Sequence, residues 1–148
     1  MSGRLTRLAA RALDWVAGAS SPPSAVPAHL ATGWKGEEEA YFFLRRLGYV
    51  MVARNFRSAR RRGEIDLVGW DGDMLCFIEV KTRTTRDVKS AEAAVDRAKQ
   101  EELSAMAREY LRRVPGRPAV RFDIVSIYLD DPAQGPEINL FKNAFSMQ

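Results

Sequence analysis

The sequence predicts a single α/β domain with a central mixed β-sheet flanked by helices. Three observations carry that prediction. Residues 63 to 83 read as two apolar runs around a tight turn, the signature of a β-hairpin. Apolar residues recur at helical spacing before and after the hairpin. A run rich in β-branched and aromatic residues, Val120 to Leu129, follows the second helix, so it should return parallel to the preceding strand by a right-handed crossover. A chain of 148 residues suits one domain with an adequate core.

Residues 1–31 are expected to be a basic amphipathic extension and flexible linker. Arg4, Arg7 and Arg11 lie among Leu5, Leu8, Leu13 and Val16 at helical spacing, and Gly18 to Pro27 is rich in Ser, Pro and Ala. An Arg-rich targeting peptide or a basic arm is an alternative reading, but the apolar runs are too broken for a secretory signal.

Residues 32–148 form the expected domain. Its first helix is predicted from Thr32, a candidate N-cap, to Gly48, with Ala40, Phe43, Leu44 and Leu47 as the apolar stripe. Gly36 and Glu37 precede Ala40 by four and three residues, so Glu37 falls at the N-terminal end of the buried face while Glu38 and Glu39 rotate away. Tyr49 to Arg54 reads as a strand, followed by the basic connection Asn55 to Arg62. After the hairpin, Thr82 to Lys89 is polar. Ser90 is a candidate cap for a long helix reaching about Arg113, whose stripe is Val95, Lys99, Leu103, Met106 and Tyr110. Lys99 is out of place in that stripe. Asp130 to Pro136 is turn-rich, Ile138 to Phe141 reads as a short last strand, and Phe141 and Phe145 are expected to close the core.

The hairpin carries charge where strands should be apolar. Asp66 sits between Ile65 and Leu67, Glu79 between Ile78 and Val80, and Lys81 two residues on. Period-two alternation puts Glu79 and Lys81 on one face. A loop with an even number of residues makes cross-strand partners sum to an odd number, so that Asp66 opposes Phe77 or Glu79 and joins that face; a three-residue loop would turn it away. The Asp71-Gly72 dipeptide favours the even case. Two carboxylates about 4 Å apart repel by roughly 4 kcal/mol at an effective dielectric near 20. Such a pair needs a cation or a shared proton. Lys81 supplies one charge, and hard carboxylate oxygens with open positions suit Mg²⁺ or Mn²⁺ bridging a phosphate. A half-exposed hairpin with a merely solvated polar face is the competing reading.

Charge is distributed rather than extreme: 23 Lys and Arg against 19 Asp and Glu. Arg54, Arg57, Arg60, Arg61 and Arg62 precede the hairpin; Lys81, Arg83, Arg86 and Lys89 follow its second strand. Basic flanks around a carboxylate centre would draw in a polyanion such as nucleic acid. One cysteine, Cys76, excludes an intramolecular disulfide and a cysteine zinc cluster, and points to a reducing cytoplasm. No apolar run reaches the ~20 residues of a membrane span. His29 is the only histidine, which argues against a histidine-based triad, and no Walker A or dinucleotide motif is present.

Asp66 followed by Glu79-Val80-Lys81 resembles the PD-(D/E)XK nuclease signature, with Ile65 in place of the proline. GEIDLV and FIEVKTR resemble the YraN family, small bacterial proteins similar to archaeal Holliday-junction resolvases. GEEEA resembles the helix by which such resolvases bring a further acid to the metal, and Glu37 is the matching position. RNFR, TRTTR and Asn143-Ala144-Phe145 also match the family, and the resemblance begins near Gly33. It implies a restriction-endonuclease-like fold and a metal-dependent endonuclease on duplex or branched DNA. It further implies Mg²⁺ or Mn²⁺ held by Asp66, Glu79 and Glu37, catalytic assistance from Lys81, and a homodimer. It places a polar pair, here Lys99-Gln100, beside the site; spacing does not decide which of the two points inward. A DNA- or RNA-binding module without turnover is the alternative, and a partner-binding protein with basic loops a third.

Overall fold

A computed structural model of the protein describes residues 28–86 and 94–148. The expected helix around Arg4 to Val16, the linker to Pro27, and Lys89 and Ser90 lie outside the described residues. Element order is α1 (Ala28–Arg46), β1 (Val50–Arg57), β2 (Glu64–Asp71), β3 (Met74–Arg83), α2 (Arg97–Leu111), β4 (Val120–Tyr128) and β5 (Glu137–Phe145). The strands form one five-stranded sheet in sequence order, antiparallel except for the parallel β3–β4 pair. This is the predicted mixed α/β sheet, and it is consistent with a restriction-endonuclease-like fold.

The sheet is covered on both faces. On one, Ala40, Tyr41 and Leu44 of α1 pack against Leu67, Cys76, Ile78, Val80, Val125 and Ile127. On the other, Leu103, Met106 and Ala107 of α2 pack against Val68, Leu75, Phe77, Phe122 and Ile124, with Phe145 stacked on Phe122 at 4.6 Å. Burial on both faces explains why β3 and β4 read as nearly unbroken apolar runs.

Helix boundaries differ from the sequence expectation. Thr32 is inside α1, not its cap: its hydroxyl donates to the Ala28 carbonyl at 2.9 Å, one turn back. At the other end Gly48, at φ +95°, stops the helix as expected; the N–H groups of Gly48 and Tyr49 return to the carbonyls of Arg45 and Leu44 at 3.0 Å. Leu47 therefore lies past the last turn and is 53% exposed, while Tyr41 takes the core position beside Ala40 and Leu44. The second helix begins at Arg97 rather than at Ser90, because the Asp96 carboxylate caps it by accepting from the Lys99 N–H at 2.9 Å. Val95 is buried just ahead of that cap. β1 continues through Asn55-Phe56-Arg57 instead of ending at Arg54, and β5 runs on to Phe145.

A close approach sets α1 against the sheet. A Cβ on Gly36 would stand 1.9 Å from Thr82 Oγ1, so glycine is what lets this turn of the helix press against β3. On β4, opposite Ile78, the fully buried Asp123 is satisfied by Arg121 at 2.7 Å and also by the Tyr49 hydroxyl and the Asn143 N–H. Asp71 joins this network through Arg121 and Lys142.

Candidate metal centre

The hairpin turn is the two-residue Gly72-Asp73, with Asp71 paired to Met74 and Leu67 to Ile78. The loop is even, as the dipeptide favoured, although the turn sits one residue later than Asp71-Gly72. Continued by one step, this register sets Asp66 opposite Glu79. The ladder stops there. Asp66 Oδ2 instead accepts a hydrogen bond from the Val80 main-chain N–H at 2.8 Å, so its carboxylate reaches across toward β3.

Alternation breaks at the same position. Leu67 packs on the α1 side, whereas Ile65 packs with Val68 on the α2 side. On the neighbouring strand, Asn55 adopts φ +49° between the pairs Arg54↔Leu67 and Phe56↔Ile65. An αL residue here re-aims the strand, as bulge-like irregularities do beside functional sites. Parity alone could not foresee this.

Three layers converge on the gap. From α1, Glu37 Oε2 accepts from Asn55 Nδ2 at 2.9 Å. Carboxylate oxygens of Glu37, Glu64 and Asp66 all lie within 4.8 Å of one another. Glu79 is not one of those three; it continues the face of Leu75 and Phe77 toward α2, with Oε1 3.3 Å from Lys81 Nζ and 4.0 Å from Lys99 Nζ. Lys99 also lies 3.7 Å from Glu102. Of the pair left open by spacing, Lys99 is thus the one beside the carboxylates, while Gln100 donates its amide to the Val95 carbonyl at 3.0 Å.

Burial makes the electrostatics severe. Asp66 and Glu79 are 7% and 6% exposed. Burial, then the Glu79 charge, push the Asp66 carboxyl up to about 8; the Val80 N–H opposes the shift, and Glu37 and Glu64 add to it. Glu37 is also raised, chiefly by burial, with the Asn55 bond working against it. Glu79 Oε2 is buried with no hydrogen-bond partner among the described residues. Asp123, equally enclosed, has both oxygens bonded, so the fold is able to satisfy a buried carboxylate where it is structural.

An orphaned carboxylate oxygen beside a cluster of hard oxygen donors fits a divalent cation. Glu64 is the member sequence reasoning missed, though its spacing of two from Asp66 in GEID was a usable signal. Its partner Arg57, at 3.0 Å, sits in the expected basic run.

The other basic residues scatter. Arg54 lies over the Tyr41 ring at 5.0 Å. Arg60, Arg61 and Arg62 are exposed in the loop before β2, and Arg83 is half-buried at the end of β3. Arg86 is held by Asp130 at 2.6 Å and Glu137 at 2.8 Å and lies over Tyr128, so its charge is already balanced.

The sequence pattern of an uncharacterised protein family, UPF0102, matches residues 36–127, which span both carboxylate strands and the Glu37 turn. The chain belongs to the UPF0102 family. This is the YraN-like family that the hairpin resembles. A UPF0102 protein of Koribacter versatilis is 54% identical over 140 residues, covering 95% of this chain and 94% of its own. A Solibacter usitatus UPF0102 protein is 47% identical over 111 residues (74% and 82%), and one from Caldicellulosiruptor saccharolyticus 36% over 114 residues (76% and 95%). The 140 residues matched in the Koribacter UPF0102 protein exceed the 117 of residues 32–148, so that likeness extends upstream of Gly33, where the resemblance was expected to begin. Among the described residues no helix is long and apolar enough to cross a membrane.

Proposed function

We propose that this UPF0102 protein is a metal-dependent nuclease of the PD-(D/E)XK superfamily that hydrolyses DNA phosphodiester bonds, with branched or junction DNA as the preferred structure. The observation that carries the reading is the buried Asp66–Glu79 pair with Lys81 3.3 Å from Glu79 and one Glu79 oxygen without a partner. Asp66, Glu79 and Glu37 would hold the ion, with Glu64 beside them. A bound Mg²⁺ or Mn²⁺ supplies positive charge at a phosphate oxygen and makes water a usable nucleophile at neutral pH.

The chain's own groups divide the remaining work. Lys81, fixed by its ion pair with Glu79, is placed to orient the attacking water and offset charge on the phosphorus transition state. Lys99 adds a second ammonium on the α2 side. Arg54, Arg57, Arg60, Arg61, Arg62 and Arg83 would attract and hold the polyanion. The buried free Cys76 suits a reducing cytoplasm, and a homodimer would match a two-fold junction.

A second reading has its own support. Asn55 already bonds Glu37 and Arg57 already pairs with Glu64, so part of the acidic group is balanced by the protein itself. That would suit a DNA- or RNA-binding module without turnover.

Cleavage of single-stranded, duplex, flap and four-way DNA with Mg²⁺ and with Mn²⁺ decides between them. Cleavage that depends on the metal and disappears in Glu79→Gln, with binding kept, supports the nuclease. Binding by the wild type without cleavage of any substrate supports the module.

A further inference from the structure

On the surface, Arg60 and Arg61 of the β1–β2 loop face Arg108 of α2 and Arg112 at its C-cap across an open groove of about 380 Å³, with Ala105 and Glu109 completing its lining. Four guanidiniums meet one carboxylate. Arg112 is the C-cap residue four positions after Arg108, so the two guanidinium side chains leave the last turn of the helix together. Arg108 donates one N–H to the Gln148 carbonyl, and among the described residues Arg60, Arg61 and Arg112 have no acidic partner.

The groove is held open by design of its walls. Ser58 Oγ donates to Glu109 at 2.6 Å and accepts from the Arg60 N–H at 3.0 Å, which ties the loop to α2 and fixes the two arginine pairs relative to each other. The one acidic group is thereby engaged with a hydroxyl rather than with an arginine.

We propose that this groove is a phosphodiester-binding site of the protein, taking the backbone of a DNA strand away from the bond that is cut. The inference rests on the nucleic-acid reading above and adds Arg108 and Arg112, which the sequence pattern did not single out. Position supports it as well as charge. Four residues separate Arg60 from Glu64, at most ~14 Å of extended chain, and six helical residues separate Glu102, below Gly63, from Arg108, about 9 Å along the axis. A strand seated in the groove would thus have its neighbouring phosphates within reach of the carboxylates.

The test is anisotropy of a labelled duplex with the full chain in EDTA, where no metal-dependent cleavage occurs. Arg108→Gln/Arg112→Gln should weaken binding about tenfold and flatten the slope of log affinity against log salt by about 2. Arg60→Gln/Arg61→Gln, confined to an exposed loop, should do the same, which covers a folding defect in the helix variant. Lys35→Gln/Arg46→Gln removes equal charge from exposed positions of α1 and should change the slope by less than half as much. Wild-type affinity and slope in both groove variants would overturn the proposal, as would an equal loss in the α1 control. A wild type that binds through the groove yet cuts nothing defeats the nuclease reading alone; Glu79-dependent cleavage with unaltered binding by both groove variants defeats the groove alone.

Discussion

The Asp66 carboxylate accepts a 2.8 Å hydrogen bond from the Val80 main-chain N–H, at the point where the β2–β3 ladder ends after Leu67↔Ile78. A side chain thus replaces a backbone acceptor just where the strands part. The same bond holds the carboxylate in a buried gap that Glu37, Glu64 and Glu79 approach from three other positions, so strand geometry and site electrostatics meet in one contact.

Asp66→Asn keeps an oxygen for the Val80 N–H and removes the buried charge. Without metal, the variant should be more stable than wild type at about pH 8.5 by on the order of 1 kcal/mol or more, and divalent ions should no longer raise its melting temperature. Differential scanning fluorimetry with and without Mg²⁺ or Mn²⁺ reads both outcomes; a variant less stable than wild type and still stabilised by the ions would remove Asp66 from the site.

The raised Asp66 carboxyl fixes the sign of a pH effect. Its ordinary value is 3.8 and its folded value about 8, so between those limits the folded chain holds a proton that the unfolded chain has released. This group's contribution therefore falls as pH rises through that window and levels off above it. Metal-free protein should lose stability from about pH 5 to pH 8 more steeply than Asp66→Asn does, and divalent-ion binding near pH 7 should release protons, which calorimetry in buffers of different ionisation enthalpy measures. A wild type and variant with parallel stability profiles would contradict the assignment.

Gly36→Ala should cost about 1–3 kcal/mol, because its Cβ would meet Thr82 Oγ1 at 1.9 Å. Adding Thr82→Ala should recover part of that loss, and urea denaturation of the single and double variants tests the coupling. Since Gly36 precedes Glu37, the single variant should also weaken divalent-ion binding.

Tyr49→Phe probes the buried network around Asp123. The hydroxyl donates to Asp123 and accepts from Arg121, so its loss should cost about 1–3 kcal/mol by leaving Asp123 short of a donor. Metal-dependent cleavage at a temperature well below unfolding should stay within about twofold of wild type, because the network's hydrogen bonds run among Tyr49, Asp71, Arg121, Asp123 and Asn143 and none reaches Glu37, Glu64, Asp66 or Glu79. A large loss of cleavage at unchanged structure would tie that network to the site.

The hairpin was legible because its signals are local. A turn dipeptide sets an even loop, and alternation then fixes the register of Leu67 against Ile78 over only a few residues. Glu37 was legible for a similar reason, since helical periodicity counted back from Ala40 places it by the buried face. Cap positions were not: Thr32 has a suitable side chain yet sits inside α1, and the second helix takes its cap from Asp96, next to the buried Val95.

By itself the sequence determined the α/β order, the apolar runs of β3 and β4, and the presence of Asp66, Glu79 and Lys81 on adjoining strands, because periodicity and turn chemistry act over short range. Tertiary structure decided what those residues do to one another. The αL turn at Asn55, the parting of β2 and β3 after Leu67, and the packing of α1 and α2 from opposite faces bring Glu37, Glu64 and Lys99 to the same gap. None of these follows from spacing, since each depends on how segments distant in the chain exclude water between them.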